Sequence, residues 1–141
     1  MGEKVFEQTG KITDSRITKV RPIDGIVTEG SFVTDVKGFG KFPNAKNMGS
    51  SITTQYSNRM FDASMQGIAM TTEGRDQIFW WSCQKTRIVE GGNKGKRKGV
   101  AMVSFFSNSR KLSWINRLIV IDDVEMDLAT QQMKIIGYEW I

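Results

Sequence analysis

Phe61 to Thr86 reads FDASMQGIAMTT, then EG, then RDQIFWWSCQKT. Two long runs without proline, joined by a short turn that contains glycine, predict a β-hairpin. A two-residue turn at Glu73-Gly74 sets the register by counting outward. Thr72 then faces Arg75, Ala69 faces Ile78, Gly67 faces Trp80, Gln66 faces Trp81 and Ser64 faces Cys83. Side chains alternate between the two sides of a strand. One face therefore carries Ser64, Gln66 and Ile68 with Phe79, Trp81 and Cys83. The other carries Ala63, Met65, Gly67 and Ala69 with Ile78, Trp80 and Ser82. Neither face is purely polar, so both are expected to be at least partly covered.

Working outward, the other segments read as further strands. Lys4–Gln8 alternates weakly, with Thr9-Gly10-Lys11 as a turn or bulge, and Lys11–Val20 is rich in β-branched residues. Ile26–Val36 has strand length. Lys37–Ser51, KGFGKFPNAKNMGSS, concentrates glycine around a proline and predicts a long loop, after which Ser51–Tyr56 returns to strand character. Beyond the hairpin, Glu90–Gly99 (EGGNKGKRKG) reads as a basic, flexible loop, and Val100–Phe106 as a buried strand. Ser107–Asn116 is the one helical candidate, capped by Ser109, with Leu112 and Ile115 forming a small apolar face. Leu118–Val124 and Gln131–Ile141 complete the series. The spacing predicts an all-β fold, about eight antiparallel strands in a sandwich or barrel, in one domain over residues 1–141.

Composition narrows the function classes. The chain has 141 residues, 39% hydrophobic and 25% charged, which is ordinary for a globular protein able to bury a core. Its longest apolar run, Leu118–Ile121, is far short of the roughly 20 residues of a membrane-spanning helix, so no membrane insertion is expected. The N-terminus, MGEKVFEQTGK, shows no leader pattern, and one cysteine excludes an internal disulfide; both fit the cytoplasm. Histidine is absent, which removes histidine-based zinc sites, Ser-His and Cys-His nucleophile pairs and a histidine base. No metal or cofactor is expected. The formal charge of +5 would suit an anionic partner, but 20 basic residues are interspersed with 15 acidic ones.

An early GKIT strand, a Gly-rich loop, SMQGI, an EG turn, a Trp-containing strand, SRKLSWIN and a final GYEW follow one another from Gly10 to Trp140. This order resembles a group of small prokaryotic proteins whose fold is similar to allene oxide cyclase, a calycin-like barrel. The resemblance implies an antiparallel up-and-down barrel of about eight strands with one short helical turn, and a tendency to form homo-oligomers. Members of that group have GEGQG where this chain has Ala63-Ser64-Met65-Gln66-Gly67. Gln66 and Gly67 match, but the acidic position is Ser64, so chemistry resting on that acid is not carried over. Barrels host many functions, and cyclase chemistry does not follow from the fold.

The face bearing Ser64, Gln66, Phe79, Trp81 and Cys83 mixes hydrogen-bonding groups with large apolar ones, the make-up of a small-molecule pocket. An eight-stranded barrel can hold one small ligand. Ser64, Gln66, Phe79 and Trp81 are therefore expected inside, with Met65, Gly67 and Trp80 outside. The competing account is a filled interior in which neighbours satisfy Gln66. Glu29, in a strand poor in charge, could point inward as an acid or base of raised pKa. Tyr56 and Tyr138 are phenol donors or rim residues. Cys83 has no activating cation beside it, and a buried inert thiol accounts for it. Lys94, Lys96, Arg97 and Lys98 lack the spacing of a phosphate-binding loop. Three functions remain: binding of a small apolar ligand, a cyclase- or isomerase-like reaction using an inward carboxylate, and binding of a polyanion. Nucleic acid is disfavoured because few aromatics accompany the cations.

Overall fold

The structure, a computed structural model, describes residues 1–22, 25–89 and 95–141. Eight strands follow one another: β1 (Lys4–Arg21), β2 (Gly25–Gly38), β3 (Ala45–Gln55), β4 (Met60–Thr71), β5 (Gln77–Val89), β6 (Lys96–Phe106), β7 (Ile119–Asp127) and β8 (Gln132–Glu139). Each is antiparallel to the next, and β8 pairs back onto β1, so the sheet closes as an up-and-down barrel. Strand spacing left a sandwich or a barrel open, and the up-and-down barrel is the one that the resemblance implied.

The hairpin register is as counted: Ala69 opposite Ile78, Gly67 opposite Trp80, Gln66 opposite Trp81 and Ser64 opposite Cys83. Its turn is longer than two residues. Thr71 N–H donates to the Asp76 carbonyl (2.8 Å), but Asp76 N–H donates to the Thr71 hydroxyl (2.8 Å). The ladder thus ends at Met70–Gln77, two pairs short of the counted Thr72–Arg75. The loop 72–75 carries positive φ at Gly74 and Arg75.

The two faces are reversed from expectation. Trp80 is 8% exposed and Trp81 49% exposed, and Ala63, Ala69, Ile78 and Ser82 lie inside with Trp80. The cause is the width of the lumen. A Cβ on Gly67 would fall 2.5 Å from the Trp80 ring, and one on Gly49 would fall 2.7 Å from it. The ring occupies space that only two glycines on neighbouring strands leave open. A small, smooth face is what a narrow barrel needs within. Ser64, Gln66 and Trp81 therefore lie on the outer wall and are exposed. Phe79, of the same parity, is half-buried there. Cys83 is exposed beside them, not buried.

Glycine also misled the placement of loops. Lys4–Gln8 and Lys11–Val20 are one strand, because Gly10 marks close approach to β2, not a turn. A Cβ there would sit 2.0 Å from the Val33 carbonyl. The expected loop Lys37–Ser51 shrinks to residues 39–44, because its second part is strand from Ala45 onward, where Gly49 accommodates Trp80. Of the expected loop Glu90–Gly99, residues 96–99 belong to β6, and residues 90–94 lie outside the described ones.

A 3₁₀ helix, Arg110–Arg117, closes one end of the barrel and buries Leu112 and Ile115 as its spacing predicts. Ser109 holds the N-cap position without a side-chain bond; Asn116 Oδ1 instead accepts the Ser107 N–H at 2.7 Å. Phe42 packs beneath, in contact with Phe6, Phe105 and Trp114.

Replacing Trp80 by Ala should cost roughly 3–5 kcal/mol, since it empties the centre of the lumen and strands a buried Asn47 oxygen. Urea unfolding measures this. A loss under about 1 kcal/mol would place the ring outside the barrel.

Candidate functional site

Inside the wall of apolar side chains runs a short polar chain. Trp80 Nε1 donates to Asn47 Oδ1 (2.7 Å), Asn47 Nδ2 to Thr34 Oγ1 (3.0 Å), and the Thr34 hydroxyl to Gln8 Oε1 (2.7 Å). The residues come from β5, β3, β2 and β1, and each is inward because alternation from its buried neighbours puts it there. With these bonds made, Asn47 and Thr34 are satisfied and act as structure.

Among the described residues, two other polar groups buried in the barrel are not satisfied. Asp122 on β7 is 5% exposed, and its Oδ1 has no hydrogen-bond partner; nor has Ser82 Oγ on β5. Both line a cavity of about 40 Å³ together with Phe6, Phe32, Trp80 and Met65. Burial pushes the Asp122 carboxyl well above the ordinary carboxylate range, which favours its neutral form. A neutral carboxyl both donates and accepts. In this cavity it is a polar group without a protein partner.

At the opposite end from the 3₁₀ helix, Arg97 on β6 also points inward. Its Nε donates to Thr86 Oγ1 (2.7 Å), and its guanidinium lies 4.3 Å from the Phe61 ring centre. Burial lowers its pKa to about 10, so it stays charged near neutrality. Arg97 and Asp122 are inward residues two rows apart along the β6–β7 ladder, roughly 13 Å. They form no ion pair.

None of the residues expected inside is there. Ser64, Gln66, Phe79 and Trp81 stand on the outer wall. Glu29 also points outward, pairing with Arg16 at 2.8 Å. It lies opposite Ile52, in the outward row, because Phe32 three residues on fixes the inward parity of β2. The carboxyl that does point inward, Asp122, carries a sequence signal. It shares period-2 parity with Val120 and Val124, both buried. The valines required Asp122 to follow them inside.

The displaced residues form an outer surface of their own. Ser50, Gln66, Trp81, Ser104 and Ile119 make one cross-strand row over β3–β7. Ile52, Ser64, Cys83, Met102 and Ile121 make the next. A shallow concavity of about 450 Å³ lies over the two rows. A wider one, about 1060 Å³, crosses the other side of the wall with Lys11, Asp35, Lys46 and Lys134 at its surface. Lys46 there is paired with Asp35.

No protein-family model matches the chain, and no curated protein matches it by sequence. Solved structures do share its fold. A protein of unknown function from Clostridium acetobutylicum superposes with a TM-score of 0.82 at 14% identity, over 99% of this chain and 98% of that one. A β-barrel-like protein from Acinetobacter baumannii gives 0.80 at 12% identity, over 99% and 94%. An enzyme from Penicillium herquei gives 0.70 at 14% identity, over 97% and 92%. At such identities the likeness is one of fold. Among the described residues no helix is long and apolar enough to cross a membrane.

The Asp122 carboxyl links stability to pH with a definite sign. The unfolded chain ionises this group near pH 4, while the native protein keeps its proton to higher pH. Native protein therefore binds more protons, and stability falls as pH rises. Relative to Asp122→Asn, the wild type should lose roughly 1.4 kcal/mol per pH unit from about pH 4 until the native carboxyl ionises. Urea midpoints of the two proteins across that range give the slope; parallel curves would show a solvated carboxyl.

Proposed function

We propose that the protein binds a small, largely apolar molecule in its barrel, with one polar group of that molecule held by Asp122 and Ser82. The observation that carries this is the pair of orphaned polar atoms on the wall of an otherwise apolar cavity. Each unpaired group costs about 1–3 kcal/mol, a penalty that a ligand carbonyl or hydroxyl would remove. Few polar groups set in apolar walls are the usual composition of such sites. The resemblance to the allene oxide cyclase-like group supports the same use of the lumen.

Size limits the ligand. About 40 Å³ accommodates no more than a few water molecules, so anything larger enters by displacing side chains. Met65 is the side chain suited to that: it is half-buried on the cavity wall, unbranched and flexible.

A second reading gives Asp122 a chemical role, as the inward carboxylate of a cyclase- or isomerase-like reaction. A carboxyl whose pKa is raised by burial in an apolar lumen is suited to act as a general acid. The fold is also that of an enzyme in Penicillium herquei, which adds the precedent of catalysis on such a barrel. Polyanion binding has less support. Lys96 is engaged by Glu125 at 2.8 Å, and Arg97 is turned into the barrel.

Native mass spectrometry of freshly purified protein tests the proposal. The expected result is extra mass that survives native spraying, disappears on denaturation, and is lost in Asp122→Ala and Ser82→Ala. Trp80 fluorescence should respond when small apolar ketones or alcohols are titrated in. Bare protein together with fluorescence indifferent to all such probes would remove the ligand-binding reading. Turnover of a bound compound that Asp122→Asn abolishes would establish the second one.

A further inference from the structure

Arg97 is a cation turned into a barrel. Its neighbours along β6, Lys96 and Lys98, are exposed on the outer wall, and alternation puts Arg97 on the inner one. Across the ladder its row continues with Ile88 and Met126. A methionine or leucine at 97 would complete that apolar row, so the strand pattern does not call for a guanidinium. A long basic side chain at a barrel mouth ordinarily lays its methylenes on the wall and holds its head in water. Arg97 does the reverse. Its Nε donates to Thr86 Oγ1 at 2.7 Å, and its guanidinium lies 4.3 Å from the Phe61 ring centre. Thr86 is 1% exposed and Phe61 7%, so the charged head is drawn towards buried residues.

We propose that Arg97, backed by Thr86 and Phe61, is a binding site for a carboxylate at the mouth of the barrel away from the 3₁₀ helix. The site is separate from the cavity of Ser82 and Asp122, and it does not rest on that cavity being filled.

Three observations select a carboxylate. The first is the supply of donors. A guanidinium carries five N–H groups and accepts nothing. Nε spends one on Thr86, and no described residue accepts from those on Nη1 and Nη2. Phe61 covers a face of the guanidinium, which leaves its edge to the ligand. A carboxylate meets such an edge in plane, with two parallel hydrogen bonds.

The second is charge. No acid faces the Arg97 head among the described residues, and burial is what lowers its pKa, to about 10, so it remains a cation at neutral pH. A desolvated charge without a counter-charge in the protein is compensated by one from outside. The site holds a single positive charge, because Lys98 points outward and Lys96, also outward, is engaged by Glu125 at 2.8 Å. That suits a monoanion better than a phosphate dianion.

The third is room. On the inner face, Gly99 stands beside Thr86, and Ala63 and Ala101 flank Gln84 in the following row. Three small residues surround the place where the guanidinium edge points inward. Gln84 is half-buried there and adds an amide to the same face.

Nuclear magnetic resonance of ¹⁵N-labelled protein tests the proposal through the Arg97 Nε–Hε signal, assigned by its loss in Arg97→Lys. Sodium hexanoate, hexanamide and inorganic phosphate are titrated in at constant ionic strength. Hexanoate should shift the signal saturably and bind at least about tenfold more tightly than hexanamide. Arg97→Met, which fills the row with an apolar side chain, should remove that preference. Should this variant not fold, the wild-type signal decides alone. A signal indifferent to hexanoate, equal affinities for acid and amide, or a preference that survives Arg97→Met would overturn the proposal. Phosphate bound more tightly than hexanoate would overturn the choice of a carboxylate. Asp122→Ala and Ser82→Ala separate this site from the inner cavity, since both should keep the preference for the acid. Neutral probes that bind and are lost in Asp122→Ala, beside a silent Arg97 signal, would leave the cavity reading standing and remove this one.

Discussion

The indole of Trp80 stands across the lumen of the barrel, and much of the interior is arranged to accommodate it. The ring packs over Gly67 and Gly49 on the two adjoining strands and lies 5.9 Å from Phe32 between ring centres. Its N–H is aimed at Asn47, which passes the hydrogen-bonding on through Thr34 to Gln8. One side chain thus ties β5 to β4, β3, β2 and β1 by packing and by hydrogen bonds. A buried indole without a partner for its N–H would be costly, so Asn47 is fixed by the same choice. Closing a sheet of eight strands brings opposite walls close enough for this chain to form. The remaining lumen is then too small for anything but a cavity beside Ser82 and Asp122.

This constraint explains which parts of the sequence could be read. The β4–β5 register follows from local counting, and side-chain alternation holds along both strands, so the pairs from Ser64–Cys83 to Ala69–Ile78 were legible; Thr72–Arg75 was not, because the turn takes up both residues. Which face turns inward depends on what lies across the lumen, and nothing within the hairpin specifies that. Gln66 and Trp81 look like a pocket lining when the hairpin is read alone. Gly67 looks like an outer surface until Gly49, eighteen residues earlier, is seen to clear the same ring. Glycine carried the ambiguity elsewhere too. At Gly10 and Gly49 it permits close approach within a strand, and its usual meaning as a turn or loop signal is misleading there. Leu112 and Ile115 were legible because a three-residue spacing needs only one helical turn to act. Asp122 was legible in principle from the buried valines two residues either side, but a charged residue in a strand invites the opposite placement.

The electrostatics of the interior are unusual for the size of the fold. Arg97 is half-buried, turned inward without an acidic partner among the described residues, and relies on Thr86 and the face of Phe61. Asp122 is buried without a basic one. Brought together, the two would form a buried ion pair of little net stability. Held two rows apart, they stay separate: a cation near one mouth, and in the middle a carboxyl whose burial favours the neutral form. The barrel therefore presents a gradient of polarity along its axis, apolar beneath the 3₁₀ helix and charged towards the other end.

An isolated buried acid is a liability that an apolar residue of similar size would remove, since replacing such groups with well-packed hydrophobic ones is often neutral or stabilising. Leucine at position 122 would continue the row set by Val120 and Val124 and fill the cavity. Nothing in the β7 backbone calls for aspartate. The neighbouring structural polar groups make the contrast clear: Asn47, Thr34 and Gln8 all have partners and hold strands together, while Asp122 Oδ1 and Ser82 Oγ have none. A polar group that contributes to folding is found bonded within the fold. One that is buried, unbonded and beside free space destabilises the folded chain until something else occupies that space.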